Sequence, residues 1–308
     1  MRLAEAEDSY MRRDIEISAE GATLRGWLYT PERSFGPVAA IVMAHGFSAV
    51  KEMYLDQYAE VFSAAGLAVL VFDHRNFGAS SGEPRCEIDP WQQLRDYRHA
   101  ITWMRMQPGI DRDRIGVWGS SYSGGHVLVL GAIDRRVKCV VSQVPLVSGS
   151  RNLKRLVRAD MFAALREQFD ADREARLGGA APMMIPVVSE DPMGPAALPT
   201  ADSWSWFTAT GKSRAPAWRN EVTLRTVEML GEYEPGSYVD RISPTPLLMI
   251  IADGDHLAVA DEAFAAYHRA LEPKRLVVLK GGHFEAYVKD FAASSSAARD
   301  WFATHLAR

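Results

Sequence analysis

Short apolar runs alternate along the chain with longer stretches whose apolar positions recur at helical spacing. Runs rich in β-branched residues predict buried strands, and the stretches between them predict helices that connect parallel strands. The predicted strands span residues 13–19, 24–29, 39–43, 68–72, 115–118, 138–142, 247–251 and 276–279. The predicted helices span residues 54–65, 90–106, 124–132, 258–270 and 291–305. This order is typical of an α/β protein in which an opening hairpin leads into a mostly parallel eight-stranded sheet flanked by helices.

The alternation stops between the sixth and the seventh predicted strand. Helical patches at 151–172 and 219–230 are separated there by a Pro- and Gly-rich stretch at 178–199. An insertion of this length with helical patterns of its own predicts a separate unit that covers one edge of the sheet. We therefore expect a main α/β body formed by residues 1–144 and 244–308, and a helical cap formed by residues 145–243.

The segment Gly119-Ser-Ser-Tyr-Ser-Gly-Gly125 directly follows the predicted strand 115–118. Small residues on both sides of a serine, between a strand and a helix, predict a nucleophile elbow, a tight turn that holds the serine in a strained conformation. With Ser121 at the centre, the pattern is G-x-S-x-S, which differs from the commoner G-x-S-x-G only at Ser123. The alternative is an ordinary Gly/Ser-rich turn; a phosphate loop is disfavoured because no lysine follows the glycines.

Two neighbouring serines offer alternative frames for this turn. A frame centred on Ser120 would put Trp118 at a position that must be small. A frame centred on Ser123 has small flanking residues but begins two residues too far from the strand. Ser121 is therefore the predicted nucleophile.

A serine hydroxyl needs a base to take its proton, and a neutral imidazole is the usual choice. His283 lies in a glycine-bearing loop immediately after the predicted strand 276–279. An acid must hold that imidazole, and the loop after strand 247–251 offers Asp253 and Asp255. Several residues of turn are needed to carry a carboxylate to the histidine loop, which favours Asp255. Asp253 stays open as the alternative, because it also fits the turn that it begins.

Acyl transfer also needs N–H donors for the oxyanion of a tetrahedral intermediate. The main-chain N–H of Tyr122, the residue after the predicted nucleophile, is one candidate. The second is the N–H of Phe47, in the His-Gly-Phe turn after the strand 39–43. We expect His45 to hold this turn structurally, and the side chains of Phe47 and Tyr122 to form walls of an acyl pocket.

Taken together, these motifs resemble the α/β-hydrolase superfamily, near its dienelactone hydrolase and X-Pro dipeptidyl-peptidase-like groups. They occur in the expected order: His45-Gly-Phe47, Asp73-His-Arg-Asn-Phe-Gly-Ala-Ser-Ser-Gly82, Gly119-Ser-Ser-Tyr-Ser123, Asp255 and Gly282-His283. The resemblance implies an eight-stranded sheet and hydrolysis of ester or amide-like bonds, although fold by itself does not determine chemistry. Asn76 stands where the second motif usually has its first glycine, and we expect Asp73 to be structural.

Composition narrows the range of partners. The chain has 308 residues, a net charge of -4 with interspersed acids and bases, and two cysteines, Cys86 and Cys139. This balance disfavours nucleic acid and anionic membranes as partners, and so few thiols favour a reducing compartment. An acidic N-terminal stretch and the absence of any apolar run of about 18 residues lead us to expect a cytoplasmic protein with a small-molecule substrate. Self-association into a homo-oligomer stays open.

The predicted cap is rich in aromatic side chains that could line a substrate pocket. The candidates are Trp204, Trp206, Phe207 and Trp218. Each one taken singly is better explained as part of the core of a small helical cap, which needs large side chains. A basic group at helical spacing, made of Arg151, Lys154, Arg155 and Arg158, is better interpreted as a solvated helix face than as an anion site.

The leading functional hypothesis is a serine hydrolase that cleaves a carboxylic ester or lactone through an acyl-enzyme on Ser121, with no cofactor. Metal-ligand spacing is absent from the sequence, so no metal is expected. The same triad could cleave a thioester, an amide or a carbon-carbon bond next to a carbonyl. The alternative outside the enzymes is a receptor on the same fold that binds a small molecule without turning it over. We expect short acyl chains, because Phe47 and Tyr122 would crowd the acyl side.

Overall fold

The computed structural model describes residues 10–32, 34–191 and 193–307, which form ten strands and nine α-helices. The strands are Tyr10–Ala19 (β1), Ala22–Pro31 (β2), Val38–Ala44 (β3), Ala68–Phe72 (β4), Ile110–Ser120 (β5), Val137–Gln143 (β6), Met184–Ile185 (β7), Val222–Thr223 (β8), Leu247–Ala252 (β9) and Lys274–Leu279 (β10). The helices are Leu55–Ala64 (α1), Pro90–Arg105 (α2), Tyr122–Ile133 (α3), Gly149–Leu156 (α4), Phe162–Leu177 (α5), Ala201–Arg214 (α6), Leu224–Glu232 (α7), Ala260–Arg269 (α8) and Phe291–His305 (α9).

Eight of these strands form one sheet in the order β1-β2-β4-β3-β5-β6-β9-β10. Strand β2 pairs antiparallel with β1 and with β4, and every other pairing in the sheet is parallel. Each of the eight predicted strands overlaps one strand of this sheet, so the predicted α/β class and mostly parallel sheet are confirmed. Strands β7 and β8 form a separate antiparallel pair.

Helices cover both faces of the sheet, and the central strands are therefore buried on both sides. Helices α1 and α9 pack together on one face, whereas α2, α3 and α8 pack on the other. All residues of β4 and β9 are buried, as their continuous apolar sequences require. Most of β1, at one edge, is exposed, and its buried positions alternate with exposed ones.

The turn after β4 is organised around the buried carboxylate of Asp73. This carboxylate accepts hydrogen bonds from the main-chain N–H of Lys51 (2.8 Å) and of Ala79 (2.9 Å), and it pairs with the Lys51 ammonium group at 2.8 Å. A Cβ at Gly78 would lie 2.3 Å from the Asp73 carboxylate, which explains the glycine. Asn76 has a φ of 70°, a left-handed conformation that asparagine tolerates, so it can replace the expected glycine. Asp73 is thus a structural residue.

The segment between β6 and β9 contains helices α4 to α7 and the β7-β8 pair. Helix α7 packs against α4 and α5. The helical patch predicted at 151–172 forms two helices, and the patch at 219–230 corresponds to α7. Helix α6 was missed in the sequence because serine, threonine, tryptophan and glycine, all weak helix formers, occupy much of it. Within the described ranges, no helix is long and apolar enough to cross a bilayer.

Two basic residues of α4 connect this segment to the main body. Arg151 pairs with Glu262 at 2.9 Å, and Arg155 pairs with Asp261 at 2.5 Å; both acids lie on α8. The exposed basic face predicted for this helix is therefore partly neutralised by neighbouring carboxylates, which supports its interpretation as a helix surface.

Candidate active site

Four loops meet at the edge of the sheet where the parallel strands have their carboxyl ends. The loop after β3 carries Phe47, the turn after β5 carries Ser121, and the loops after β9 and β10 carry Asp255 and His283. Strands β3, β5, β6, β9 and β10 are neighbours in the sheet, so these loops are brought together although they lie far apart in sequence.

The turn between β5 and α3 holds Ser121 in a strained conformation, with φ of 60° and ψ of −119°. A Cβ at Gly119 would lie 2.1 Å from the carbonyl oxygen of Ser123, so only glycine fits this position. The main-chain N–H of Ser121 donates to the carbonyl oxygen of Gln143 at 2.8 Å, which ties the turn to β6. The half-buried Ser121 side chain points away from these contacts toward the histidine loop.

A continuous hydrogen-bonded chain joins the three residues that the sequence proposed as a triad. The Ser121 hydroxyl lies 2.9 Å from Nε2 of His283, and Nδ1 of His283 lies 2.6 Å from Oδ2 of Asp255. The other carboxylate oxygen of Asp255 accepts the main-chain N–H groups of Leu257 (2.9 Å) and Ala258 (2.8 Å). His283 and Asp255 are both buried, so their orientation is determined by protein contacts rather than by solvent.

The alternatives considered in the sequence have other partners. The Ser120 hydroxyl is buried and lies 2.5 Å from the hydroxyl of Tyr287. The Ser123 hydroxyl is also buried and donates to the carbonyl oxygen of His45. Asp253 pairs with Lys280 at 3.1 Å. Among these candidates, only Ser121 and Asp255 contact His283.

Close approach of two loops brings Asp255 to His283. The N–H of Asp253 donates to the carbonyl oxygen of Leu279 at 3.0 Å, and the N–H of Gly254 donates to that of Gly281 at 2.8 Å. A Cβ at Gly254 would lie 2.9 Å from that Gly281 oxygen, and Gly281 has a φ of 114° that favours glycine. These hydrogen bonds extend the pairing of β9 with β10 by two residues and determine which acid faces the imidazole.

We call residues 45–47 the oxyanion loop, because they contain Phe47, whose N–H the sequence analysis proposed as an oxyanion donor. It passes directly beside the nucleophile, since a Cβ at Gly46 would lie 2.8 Å from Cβ of Ser121. Tyr122 begins α3, so its N–H has no intrahelical acceptor. Within the described part of the chain, the N–H groups of Phe47 and Tyr122 donate to no protein atom. Both are therefore available to a ligand oxygen.

His45 fixes the oxyanion loop through hydrogen bonds to the main chain, as expected from the sequence. Its Nδ1 donates to the carbonyl oxygen of Gly46 at 2.9 Å, and its Nε2 accepts the main-chain N–H of His74 at 3.1 Å. Burial lowers the pKa of the His45 imidazole, which keeps the ring neutral and this pattern of donor and acceptor intact.

A cavity of about 20 Å³ lies directly over Ser121 and His283. Phe47, Trp206 and Phe207 contribute to its lining. The volume is close to that of a single water molecule, so the cavity is too small for an acyl group with the lining side chains in these positions.

Trp204 and Trp218 do not line this cavity. Trp218 stacks on Phe207 with ring centroids 5.2 Å apart, and its indole N–H donates to the carbonyl oxygen of Ser48 at 2.8 Å. Trp204 is half-buried and packs against the hydrophobic core. Of the four proposed pocket aromatics, the structure therefore brings Trp206 and Phe207 to the site.

The expectation that the Tyr122 side chain forms a wall of the acyl pocket was wrong. Its ring packs 5.0 Å from His126 and 5.5 Å from Tyr233, measured between centroids, and only 2% of the residue is exposed. The side chain of the first residue of α3 is directed into the core rather than over Ser121. Only the main-chain N–H of Tyr122 remains available to the site.

Five apolar or aromatic residues at the cavity were not identified from the sequence: Ala49, Leu198, Leu257, Phe284 and Tyr287. Leu257 and Phe284 lie within two residues of Asp255 and His283, so adjacency to these candidates could have indicated them. The Trp206 ring stacks on Phe284 at a centroid distance of 4.7 Å. Leu198 and Tyr287 carry no comparable indication, because their proximity depends on how distant segments pack.

Comparisons with known proteins agree with this architecture. Thiohydrolase aneE from Aspergillus aculeatus is 36% identical over 84% of this chain and 82% of its own length. The quorum-quenching protein AidA from Acinetobacter baumannii is 34% identical over 89% of this chain and 88% of its own. The crystal structure of the α/β hydrolase GrgF from Penicillium sp. sh18 superposes with a TM-score of 0.83 and 29% identity, covering 97% of this chain and all of that one.

The family comparison covers most of the chain. Residues 20–285 match the X-Pro dipeptidyl-peptidase (S15) family, which confirms the resemblance inferred from the motifs. This match and the GrgF fold together identify the superfamily. The chain belongs to the X-Pro dipeptidyl-peptidase (S15) family of the α/β-hydrolase superfamily.

Proposed function

We propose that this protein is a serine hydrolase that cleaves a carboxylic ester of a small or medium-sized molecule through an acyl-enzyme on Ser121. The observation that carries the proposal is the hydrogen-bonded chain from Ser121 through His283 to Asp255, with distances of 2.9 Å and 2.6 Å. Membership of a hydrolase superfamily supports it.

In the proposed reaction, His283 accepts the Ser121 proton at Nε2 while the serine oxygen attacks the ester carbonyl. The N–H groups of Phe47 and Tyr122 stabilise the oxyanion that forms. The intermediate then expels the alcohol, which takes the proton from His283 and leaves the acyl group on Ser121. Water, deprotonated by His283, hydrolyses this acyl-enzyme and regenerates the serine. Asp255 keeps the Nδ1 proton of His283 in place throughout.

We further propose that residues 145–243 act as a cap that selects the substrate. Trp206 and Phe207 of α6 cover the cavity, whose volume of about 20 Å³ leaves little room for an acyl group. The end of α6 is held to α1 by Arg214, which pairs with Asp56 at 2.5 Å. Displacement of α6 side chains would enlarge the cavity, and the size of the displaced rings would limit the acyl chains accepted.

Thioester hydrolysis is the second candidate, favoured by the similarity to a protein named thiohydrolase. The same triad and oxyanion donors suit both bonds, since each reaction passes through an acyl-enzyme. Comparison of kcat/KM for p-nitrophenyl butyrate and for the N-acetylcysteamine thioester of butyrate distinguishes the two. A strong preference for the thioester would favour the second candidate.

The direct test is Ser121→Ala, with Ser120→Ala as the matched control. Ser121→Ala should reduce kcat on p-nitrophenyl butyrate by at least about 10⁴-fold, because no nucleophile remains. Ser120→Ala should retain turnover. A fluorophosphonate probe should label wild-type protein on Ser121, as read by mass spectrometry. Retained turnover in Ser121→Ala would refute the proposal, and labelling without turnover would favour a ligand receptor.

A further inference from the structure

Ser123 departs from the glycine of the commoner motif, and its hydroxyl makes two buried contacts. Its Oγ lies 2.5 Å from the carbonyl oxygen of His45 and 2.9 Å from Nε2 of His74. A carbonyl can only accept, so the Ser123 hydroxyl donates its proton to His45. Its lone pair then accepts the Nε2–H of His74.

The state of His74 supports this assignment. Its Nδ1 is buried and has no hydrogen-bond partner among the described residues, which agrees with a proton on Nε2. Burial lowers the pKa of this imidazole well below its ordinary value, and nearby His45 and His126 add to the effect. The main-chain N–H of His74 donates to Nε2 of His45 at 3.1 Å. His74 therefore supports both Ser123 and His45 as a neutral ring.

We propose that Ser123 is a positioning residue that orients the oxyanion loop relative to Ser121. The carbonyl of His45 and the N–H of Gly46 belong to one rigid peptide unit, so a hydrogen bond to that carbonyl fixes the orientation of the loop. Phe47, the proposed oxyanion donor, follows immediately. Ser123 lies two residues after the nucleophile, so its hydrogen bond to His45 connects the turn that carries Ser121 directly to the oxyanion loop. The inference rests on the function proposed above.

A second contact, with partners on the main chain, also anchors the strand before this loop. The hydroxyl of Tyr97 accepts the N–H of Ala44 at 2.9 Å and donates to the carbonyl oxygen of Trp118 at 3.0 Å. This contact joins the end of β3 to β5. Removal of the Ser123 hydroxyl should therefore leave the fold intact and alter only the precise placement of the loop.

The test compares Ser123→Ala with Ser142→Ala. Ser142 is also buried, and its hydroxyl donates to the carbonyl oxygen of Gly124 at 2.8 Å, so it provides a control for the loss of one buried hydrogen bond. Ser123→Ala should lower kcat on p-nitrophenyl butyrate roughly 10- to 100-fold, the range expected for a misplaced oxyanion donor. KM should change less than about 2-fold, because ground-state binding does not depend on that donor.

The second readout is inhibition by butylboronic acid, whose tetrahedral adduct with serine places an oxygen in the oxyanion position. Its Ki should rise in Ser123→Ala by the factor by which kcat/KM falls, and should not rise in Ser142→Ala. Ser123→Gly, which carries the residue of the commoner motif, should behave like the alanine variant and serves if that variant is unstable. Melting temperatures monitor the fold of every variant.

The outcomes separate this inference from the proposed function. Unchanged kcat and Ki in Ser123→Ala, or a loss of kcat without a change in Ki, would overturn the positioning role. If the wild-type protein neither hydrolyses p-nitrophenyl butyrate nor binds butylboronic acid at Ser121, the proposed serine hydrolase function is refuted. The positioning role of Ser123 is then refuted with it.

Discussion

Replacement of Asp255 by asparagine isolates the electrostatic and tautomeric role of this residue. Oδ1 of Asp255 accepts two main-chain N–H groups, from Leu257 and Ala258. In Asp255→Asn, the N–H groups of Leu257 and Ala258 still need an acceptor, so the amide oxygen takes the position of Oδ1. The amide NH₂ group then faces Nδ1 of His283, which lies 2.6 Å from Oδ2 in the wild-type protein.

An NH₂ group can only donate, so Nδ1 of His283 must present its lone pair and the ring proton moves to Nε2. This tautomer cannot accept the proton of Ser121, whose hydroxyl lies 2.9 Å from Nε2. The equivalent change of tautomer in a serine triad costs roughly 10⁴ in kcat. That factor corresponds to about 5 kcal/mol in activation free energy. The retained bonds to Leu257 and Ala258 should leave the melting temperature nearly unchanged.

The assay is steady-state hydrolysis of p-nitrophenyl butyrate, with Asp253→Asn as the matched control. Asp253 is exposed and pairs with Lys280 at 3.1 Å, so its substitution should change kcat less than about 2-fold. The reasoning would be refuted if Asp255→Asn kept more than about a tenth of the wild-type kcat, or if Asp253→Asn lost as much.

The cap and the buried histidines give two further predictions. Trp206→Ala should raise kcat/KM for octanoyl esters relative to butyryl esters, because Trp206 lines the small cavity over Ser121. Trp204 lies outside the cavity, so Trp204→Ala should leave this ratio unchanged. An equal change in both variants would contradict the role of Trp206 in limiting acyl length. Burial lowers the pKa of His126 to about 3 in the native state, whereas an imidazole in the unfolded chain keeps its ordinary pKa of about 6.5. At pH values between these two, His126 binds a proton in the unfolded chain but not in the native state. Stability should therefore fall as the pH decreases from 7 to 5, by about 2 kcal/mol from this residue. Urea unfolding of His126→Gln at pH 7 and pH 5 should show a smaller fall in the free energy of unfolding than the wild-type protein shows. The same pH dependence in the variant and in the wild-type protein would contradict this prediction.

Several features follow from the local sequence because they depend on short-range chemistry. Apolar runs in the sequence predicted all eight strands of the central sheet, and the runs are continuous where a strand is buried on both faces, as in β4 and β9. Gly119 and the small residues after it predicted the strained turn at Ser121, because a larger residue at 119 would collide with the main chain. The chain order of the motifs indicated the superfamily for the same reason: each motif occupies a fixed place at the ends of successive strands.

Other features were decided by contacts between distant segments. Turn length favoured Asp255 over Asp253 in the sequence but left both open, and the hydrogen bonds between their loop and the His283 loop bring Asp255 to the imidazole. Trp206 and Trp204 likewise occupy the same helix, yet only the ring that packs on Phe284 reaches the cavity. The sequence determined the strands and the type of chemistry, because these depend on neighbouring residues. The tertiary structure decided which side chains meet, because that depends on how loops separated by many residues pack at one edge of the sheet.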